Sequence, residues 1–586
     1  MKETDRGRNL RAGELPRRRA LTALMLGGAG ALAACTALPT SGEVSESGAV
    51  GGSDLQLVQT AAGPADGAAP EEIITGFLRA CAAGFFDDFS TARAFLTDTA
   101  SASWQPTATV KVYDGTTAPV IALMDNQVSV TVDLIGAVGP AGAFTDEVEV
   151  DHVCQYVLAT DDAGQWRIAE LPGGMLLSDG DLTADFAAAP LYFLTPDRSR
   201  LVPELRWLPR HELPRRLIEA LLGGPSTWLA AGVTTAVPQG AGIGDDGVVV
   251  EDGAASVDLT GLADTGSSDP EQAGLLVAQI RATLAGAVDD GAGQVQGVTV
   301  RADGRDLGAA AALPAVAAEP GAVVGMCAGA VVQGTTSTRT TLVTAQTLGV
   351  DPVSHPALGS DGAVYALKRS SLLRVLPGAG VADVILSVGE ADDDEDAQSL
   401  LPPIADRHGW VWTATGGALL AVDGRGRRAA LNAPWLNGRE VLAFDLSAES
   451  ARIVVRHRSG GAGERVSVAA VIRDGNAPTG LGDPLELPAA VGARTDAVVW
   501  YDPVSIAVLP PAAAGQDKAA ASGVECLAVG GPLATDITSP AAVALTADRA
   551  TGTVQLTDSA GRIWQHSGAA WRVSATDVTD IAYPLA

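Results

Sequence analysis

Five cysteines and six histidines are the side chains of this 586-residue chain best suited to nucleophilic, metal or acid–base chemistry. The histidines (His152, His211, His355, His408, His457, His566) are scattered. None has the H-E-x-x-H spacing that sets two imidazoles on one helix face around zinc. No C-x-x-C, P-loop or G-x-S-x-G elbow occurs. "GIGDDG", Gly242 to Gly247, fits G-x-G-x-x-G by letters. No helix follows it, and Asp245 and Asp246 would repel a pyrophosphate, so a surface loop is expected. "DDDED", Asp392 to Asp396, alternates like the start of a calcium loop. Ala397 stands where a glycine is needed and Pro403 where a glutamate is needed, so it reads as a solvated loop. In "DRHGWVW", His408 sits beside Trp410 and Trp412, which reads as packing at a strand edge. Acid–base catalysis needs carboxylates or imidazoles held at defined separations, and linear order singles out no pair. No catalytic residue, metal site or cofactor is expected.

Cys35 is the exception, because of what precedes it. Arg17, Arg18 and Arg19 form a basic cluster, and Ala20 to Ala34 is an uncharged run rich in Leu, Ala and Gly. That run is too short to span a bilayer, which takes roughly 20 apolar residues. With small residues closing it, residues 1–34 read as a signal peptide. "Leu32-Ala33-Ala34-Cys35" resembles the bacterial lipobox. The resemblance implies cleavage between Ala34 and Cys35, a thioether-linked diacylglyceryl group on the Cys35 thiol, and a further acyl chain on its freed amine. Each buried CH₂ adds about 0.8 kcal/mol, so two or three chains anchor stably where one does not.

The elements beyond the anchor are legible from periodicity. Residues 35–69 are rich in Gly, Ala, Ser and Pro and read as a flexible tether with an average reach of roughly 30 Å. Residues 70–178 read as a small α+β domain. "PEEIITGFLRACAAG" puts Ile73, Ile74, Phe77, Leu78 and Cys81 on one helical stripe, with Pro70 at the start. "DFSTARAFL" reads as a second short helix. "QVSVTVDLI" puts Val128, Val130, Val132 and Leu134 on one strand face. "DEVEVDHVCQYVL" puts Val148, Val150, Cys154, Tyr156 and Leu158 together, opposite Glu147, Glu149 and Asp151. Cys81 and Cys154 both point to the apolar side, as a disulfide or as two buried thiols. Without Cys35, four cysteines remain, enough for two disulfides in an exported protein.

Residues 190–312 read as a second α+β domain. "LYFLTPDRSRLVPELRWLP" is strand, turn and strand. "HELPRRLIEALLGGPS" is a helix stopped by Gly-Gly-Pro. "VVVEDGAASVDLT" is a hairpin turning at Asp252-Gly253. "DPEQAGLLVAQIRATL" is a second helix, with Asp269 as N-cap, Pro270 in first place and Gln272 in the capping-box position.

Over residues 320–586 helical periodicity disappears. Strand-rich segments begin at Ser360, Asp406, Ser447, Thr495 and Thr546. A period of about forty to fifty residues, each unit with several strands and an aromatic, marks propeller blades. "GAVVGMCAGAVVQ" starts one more, so six blades are expected; a pair of β-sandwiches is the other architecture such a pattern fits.

Composition bounds the partners. The formal net charge is −30, which repels phosphate backbones and excludes nucleic acid as a partner. Hydrophobic residues make up 47% of the chain, enough for several cores.

Taken in order, the pieces resemble the LpqB family of actinobacterial lipoproteins. The resemblance rests on "LAAC" followed by "TALPTSG", then "QWRIAELPGG", then a GerMN-like stretch carrying "LVPELRWLP", "LIEALLGGPS" and "AVPQGA", then the propeller. It implies no enzyme but an accessory protein at the outer face of the cytoplasmic membrane. Its implied partner is the extracytoplasmic part of a two-component sensor kinase of the MtrA–MtrB type, linked to envelope and division functions. Only Cys35 carries over as a functional residue. The other reading is an envelope glycan-binding protein or hydrolase working at the propeller face.

Overall fold

The computed structural model describes residues 61–262, 269–286, 295–314, 321–334, 339–389, 399–460, 463–487, 497–509, 523–567 and 570–585. The signal peptide, Ala34, Cys35, most of the tether and the "DDDED" segment lie outside them.

The first domain begins with helix α1 (Pro70–Ala82). Pro70 supplies a preset φ, and the Glu72 carboxylate accepts the Ala69 N–H at 2.8 Å. Ile73, Ile74, Phe77 and Cys81 are buried on its inner face. They pack on a seven-stranded sheet built around two twelve-residue strands, Gln127–Val138 and Glu149–Thr160. The "DFSTARAFL" helix is shorter than expected, Ser90–Arg93.

One expectation for this sheet is overturned. Cys154, Tyr156 and Leu158 are buried, but Val148 and Val150 are 63% and 71% exposed. The pairing slips by one residue between Val132↔His152 and Leu134↔Glu149. Asp151 absorbs the extra residue with φ 56, its N–H donated to Asp133 Oδ1 at 2.9 Å. A β-bulge of this kind breaks the alternation along the strand.

The middle domain starts with a long hairpin of Phe186–Leu194 and Leu201–Pro209. Helices α2 (Leu213–Gly223) and α3 (Pro270–Gly286) accompany a four-stranded sheet. Asp252 (φ 49) and Gly253 (φ 75) make its hairpin turn, as the Asp-Gly pair requires. Asp269 Oδ1 accepts the Glu271 N–H at 3.0 Å. Gln272 does not close a capping box; its amide donates to the Ala236 carbonyl and accepts from Arg198. "GIGDDG" is not a free loop either. It lies inside the strand Gly242–Glu251, as a bulge between the pairs Ile243↔Leu259 and Val248↔Val257, with Asp245 and Asp246 exposed.

Residues 324–582 form six sheets, the six blades. The strand Thr579–Ala582 pairs antiparallel with Val324–Cys327, so the end of the domain supplies the innermost strand of the blade that the beginning opened. Ser354–Leu358, Ile404–Ala405, Arg439–Leu446, Ala497–Trp500 and Ala544–Asp548 are the other inner strands. One turn recurs in the blades. Asp406, Asp423 and Asp558 each open a D-x-x-G turn and accept the backbone N–H two and four residues on, at 2.9–3.0 Å. Their second oxygens take Trp412 Nε1 at 2.9 Å, Arg427 Nε at 2.6 Å, and Arg562 Nε with Trp564 Nε1 at 2.7 and 2.9 Å.

Candidate functional site

Two places stand out: the strand Leu201–Pro209, where the three domains meet, and the channel on the propeller axis. Strands usually show one face to a core and one to water, yet Val202 to Pro209 are buried without a break. Its residues meet all three domains. Arg206 donates from Nη1 to the Ala141 carbonyl of the first domain at 2.8 Å, and from Nη2 to Glu204 at 2.9 Å. Glu204 in turn accepts the Ser226 N–H. Trp207 packs in the first domain's core, accepts nothing, and donates Nε1 to the Gly530 carbonyl of the propeller at 3.1 Å. Arg452 of the propeller reaches the Pro203 carbonyl at 3.0 Å, stacks 4.5 Å from the Trp500 ring centre and pairs with Glu449 at 2.7 Å. On the hairpin's turn, both carboxylate oxygens of Asp197 accept from Arg407 Nη2, at 2.9 and 2.7 Å. Burial would push this carboxyl up, but hydrogen bonds from Thr195 and Arg407 hold it well below the usual range. The buried charges here, Arg206, Glu204, Arg452 and Glu449, are each paired, as desolvation demands.

The channel is a cavity of about 410 Å³ touched by all six inner strands. The middle domain touches the turns at their C-terminal ends, through Arg407, Arg452 and the Pro503 carbonyl that Arg452 also bonds. The lining is mainly aliphatic and proline, with Phe444 as its one large aromatic. Asp445 is buried and tied to Arg549. At the mouth His355 Nε2 lies 3.8 Å from Asp580 Oδ1. Both residues take left-handed backbone conformations, φ 50 and φ 51.

The sequence-level candidates fall as follows. Cys35 and its cleavage partner Ala34 lie outside the described residues. Cys81 and Cys154 enter the same core, and the structure holds both as free thiols, so the Cys81–Cys154 disulfide is not formed here. Burial pushes the thiols of Cys81 and Cys154 up. Cys327 and Cys526 are free as well. His408 bonds Asn476 at 3.3 Å beside the Asp406 turn, a packing position. The turn aspartates and the Leu201–Pro209 junction were not singled out from sequence. The recurring D-x-x-G spacing in "DRHG", "DGRG" and "DSAG" is the signal that would have found the first. Among the described residues, no group of three or more His, Cys, Asp or Glu could hold a metal ion.

Three family models match the chain in order. Residues 63–183 match the lipoprotein LpqB N-terminal domain, 190–308 the sporulation and spore germination domain, and 329–585 the lipoprotein LpqB beta-propeller domain. The chain belongs to the LpqB family. Lipoprotein LpqB of Cutibacterium acnes is 31% identical over 268 residues, 44% of this chain and 43% of that protein. Lipoprotein LpqB of Mycobacterium bovis (strain BCG / Pasteur 1173P2) is 29% identical over 426 residues, 67% and 69% of the two chains. The chain therefore spans under half the length of some LpqB relatives and about two thirds of others. Among solved structures, TolB from Acinetobacter baumannii shares 14% identity over 45% of this chain and 66% of its own, with a TM-score of 0.32. In LpqB terms, the junction strand belongs to the sporulation and spore germination domain and contacts both neighbours. No helix among the described residues is long and apolar enough to cross a membrane.

Proposed function

We propose that the chain is an extracytoplasmic lipoprotein, anchored by lipid on Cys35, that acts as a non-catalytic accessory to a two-component sensor kinase of the MtrB type. The observation that carries this reading is the junction strand, whose buried Arg206, Trp207 and Pro203 contacts join three domains into one body. A tethered body of this kind works by presenting surfaces. Confinement at the membrane raises its effective concentration near a membrane kinase without any further contact. The LpqB name shared by its relatives supports the lipid anchor.

A glycan-binding or hydrolytic propeller would need inward carboxylates or aromatic platforms at the channel. The lining has no Trp or Tyr, Asp445 is paired with Arg549, and Asp580 is left as a single carboxylate where glycoside hydrolysis takes two. The experiment is crosslinking in cells with the intact lipoprotein. Recovery of a sensor kinase is expected, and recovery of peptidoglycan fragments alone would refute the reading. Cys35→Ala should move the protein from the membrane fraction to the soluble one, and retention after that change would refute the anchor.

A further inference from the structure

We propose that the propeller channel binds an extended apolar peptide segment of a partner protein, with a basic residue seated against Asp580. The proposal rests on the reading of this chain as an interaction module and names one site through which it would act.

Three features of the cavity select that ligand. The walls come first. Pro356, Leu401, Pro402, Val499, Val543 and Ile581 line it, and Val543 is 65% exposed to it and to solvent. Such walls gain by covering aliphatic side chains, at roughly 25 cal/mol per Å² of apolar surface. The second feature is the backbone. Each inner strand pairs with a neighbour on one side only among the described residues, so its other edge faces the channel. Those edges lie outside the blades' own ladders, and an extended peptide can add strand-like hydrogen bonds there while its side chains fill the apolar wall. A hydrocarbon chain makes no such bonds.

Charge is the third. Four charged or titratable side chains line the cavity: His355, Asp445, Arg549 and Asp580. Asp445 and Arg549 form an ion pair in the interior. Asp580 remains at the mouth, its side chain 30% exposed, with only the His355 ring at 3.8 Å. An open carboxylate beside an apolar cavity, on a chain of net charge −30, favours a cation flanking an apolar run.

Arg407, Arg452 and Pro503, which carry the contacts to the middle domain, are not among the residues that line the cavity. Its mouth is framed by His355 and Asp580, both in the left-handed region. Such strain in non-glycine residues concentrates at ligand sites.

The test is panning of a phage-displayed random heptapeptide library on the full chain carrying Cys35→Ala. Enriched peptides should carry an aliphatic run beside Lys or Arg. Val543→Trp fills the mouth at an exposed position, and circular dichroism checks that the fold is retained; retention of the enriched phage should fall about tenfold or more. Asp580→Asn keeps a residue tolerant of φ above zero, and should weaken binding about threefold while erasing the preference for a basic residue. An absence of enrichment, or enriched phage held equally by Val543→Trp, overturns the proposal. Kinase crosslinking reads the parent function separately: peptide capture lost in Val543→Trp supports the channel even where no kinase is recovered.

Discussion

Arg452 of the propeller donates Nη1 to the backbone carbonyl of Pro203 in the middle domain, 3.0 Å away. The same guanidinium bonds the Pro503 carbonyl at 2.8 Å and Glu449 at 2.7 Å, and its side chain is 2% exposed. One residue thereby fixes a blade-to-blade contact and a domain-to-domain contact. Arg452→Ala leaves Glu449 buried without its cation, and a cost of about 3–5 kcal/mol is expected. Urea unfolding should show a lower midpoint. The double change Arg452→Met with Glu449→Met should recover most of the loss, since it removes both charges and keeps the stem over Trp500.

The turn aspartates should differ in weight. Asp406 is buried and accepts from Trp412, from Arg473 at 2.7 Å and from two backbone groups. Asp406→Ala strands a buried guanidinium and should cost about 3 kcal/mol or more. Asp558→Ala should cost about half as much, because its Arg562 partner is 52% exposed and water replaces the carboxylate. Thermal unfolding of the two variants side by side checks the ranking.

His457 gives the fold a pH dependence. Burial, and then the Arg439 guanidinium, push its ring down to about 4, and Ser467 Oγ lies 2.9 Å from Nε2. An unfolded histidine titrates near 6.5. Between those values the unfolded chain binds more protons, so this residue's contribution is complete above about pH 6.5 and is lost as pH falls toward 4. The loss is expected to reach on the order of 3 kcal/mol. His457→Gln should flatten that part of the stability profile, measured by denaturant unfolding at each pH.

Thiol reactivity should separate the cysteines. Cys81, Cys154 and Cys526 are buried, and burial pushes the Cys526 thiol up to about 12. Cys327 is half-buried, with Arg339 Nη1 at 3.3 Å from its sulfur. In the Cys35→Ala chain, an aromatic disulfide reagent should label Cys327 first and the other three only on unfolding. A Cys81–Cys154 bridge in a non-reducing peptide map would contradict the thiols seen here.

Local periodicity carried the two helices of the middle domain, α1 and the strand faces around Val128 and Cys154, because each side chain there answers to one neighbouring core. It failed where a partner outside the window decides. Asp133 captures the Asp151 N–H and turns Val148 and Val150 outward. Ala236, thirty-six residues away, takes the Gln272 amide that a capping box would have used. The blades were legible because aromatic-bearing repeats recur at a steady spacing. The junction was not, since "LVPELRWLP" reads as an ordinary strand, and its burial on every side comes from domains folded before and after it. The channel has no linear signature, because six separate strands each contribute a few residues.

The pairing of Thr579–Ala582 with Val324–Cys327 has a consequence for how the molecule comes into being. Synthesis from the N-terminus delivers the first blade's outer strands long before their inner neighbour exists. Until Thr579–Ala582 arrives, Val324–Cys327 waits with one edge bare, a liability for misassociation. A cut in the chain just before Thr579 would leave that seam without its covalent tie to the sixth blade.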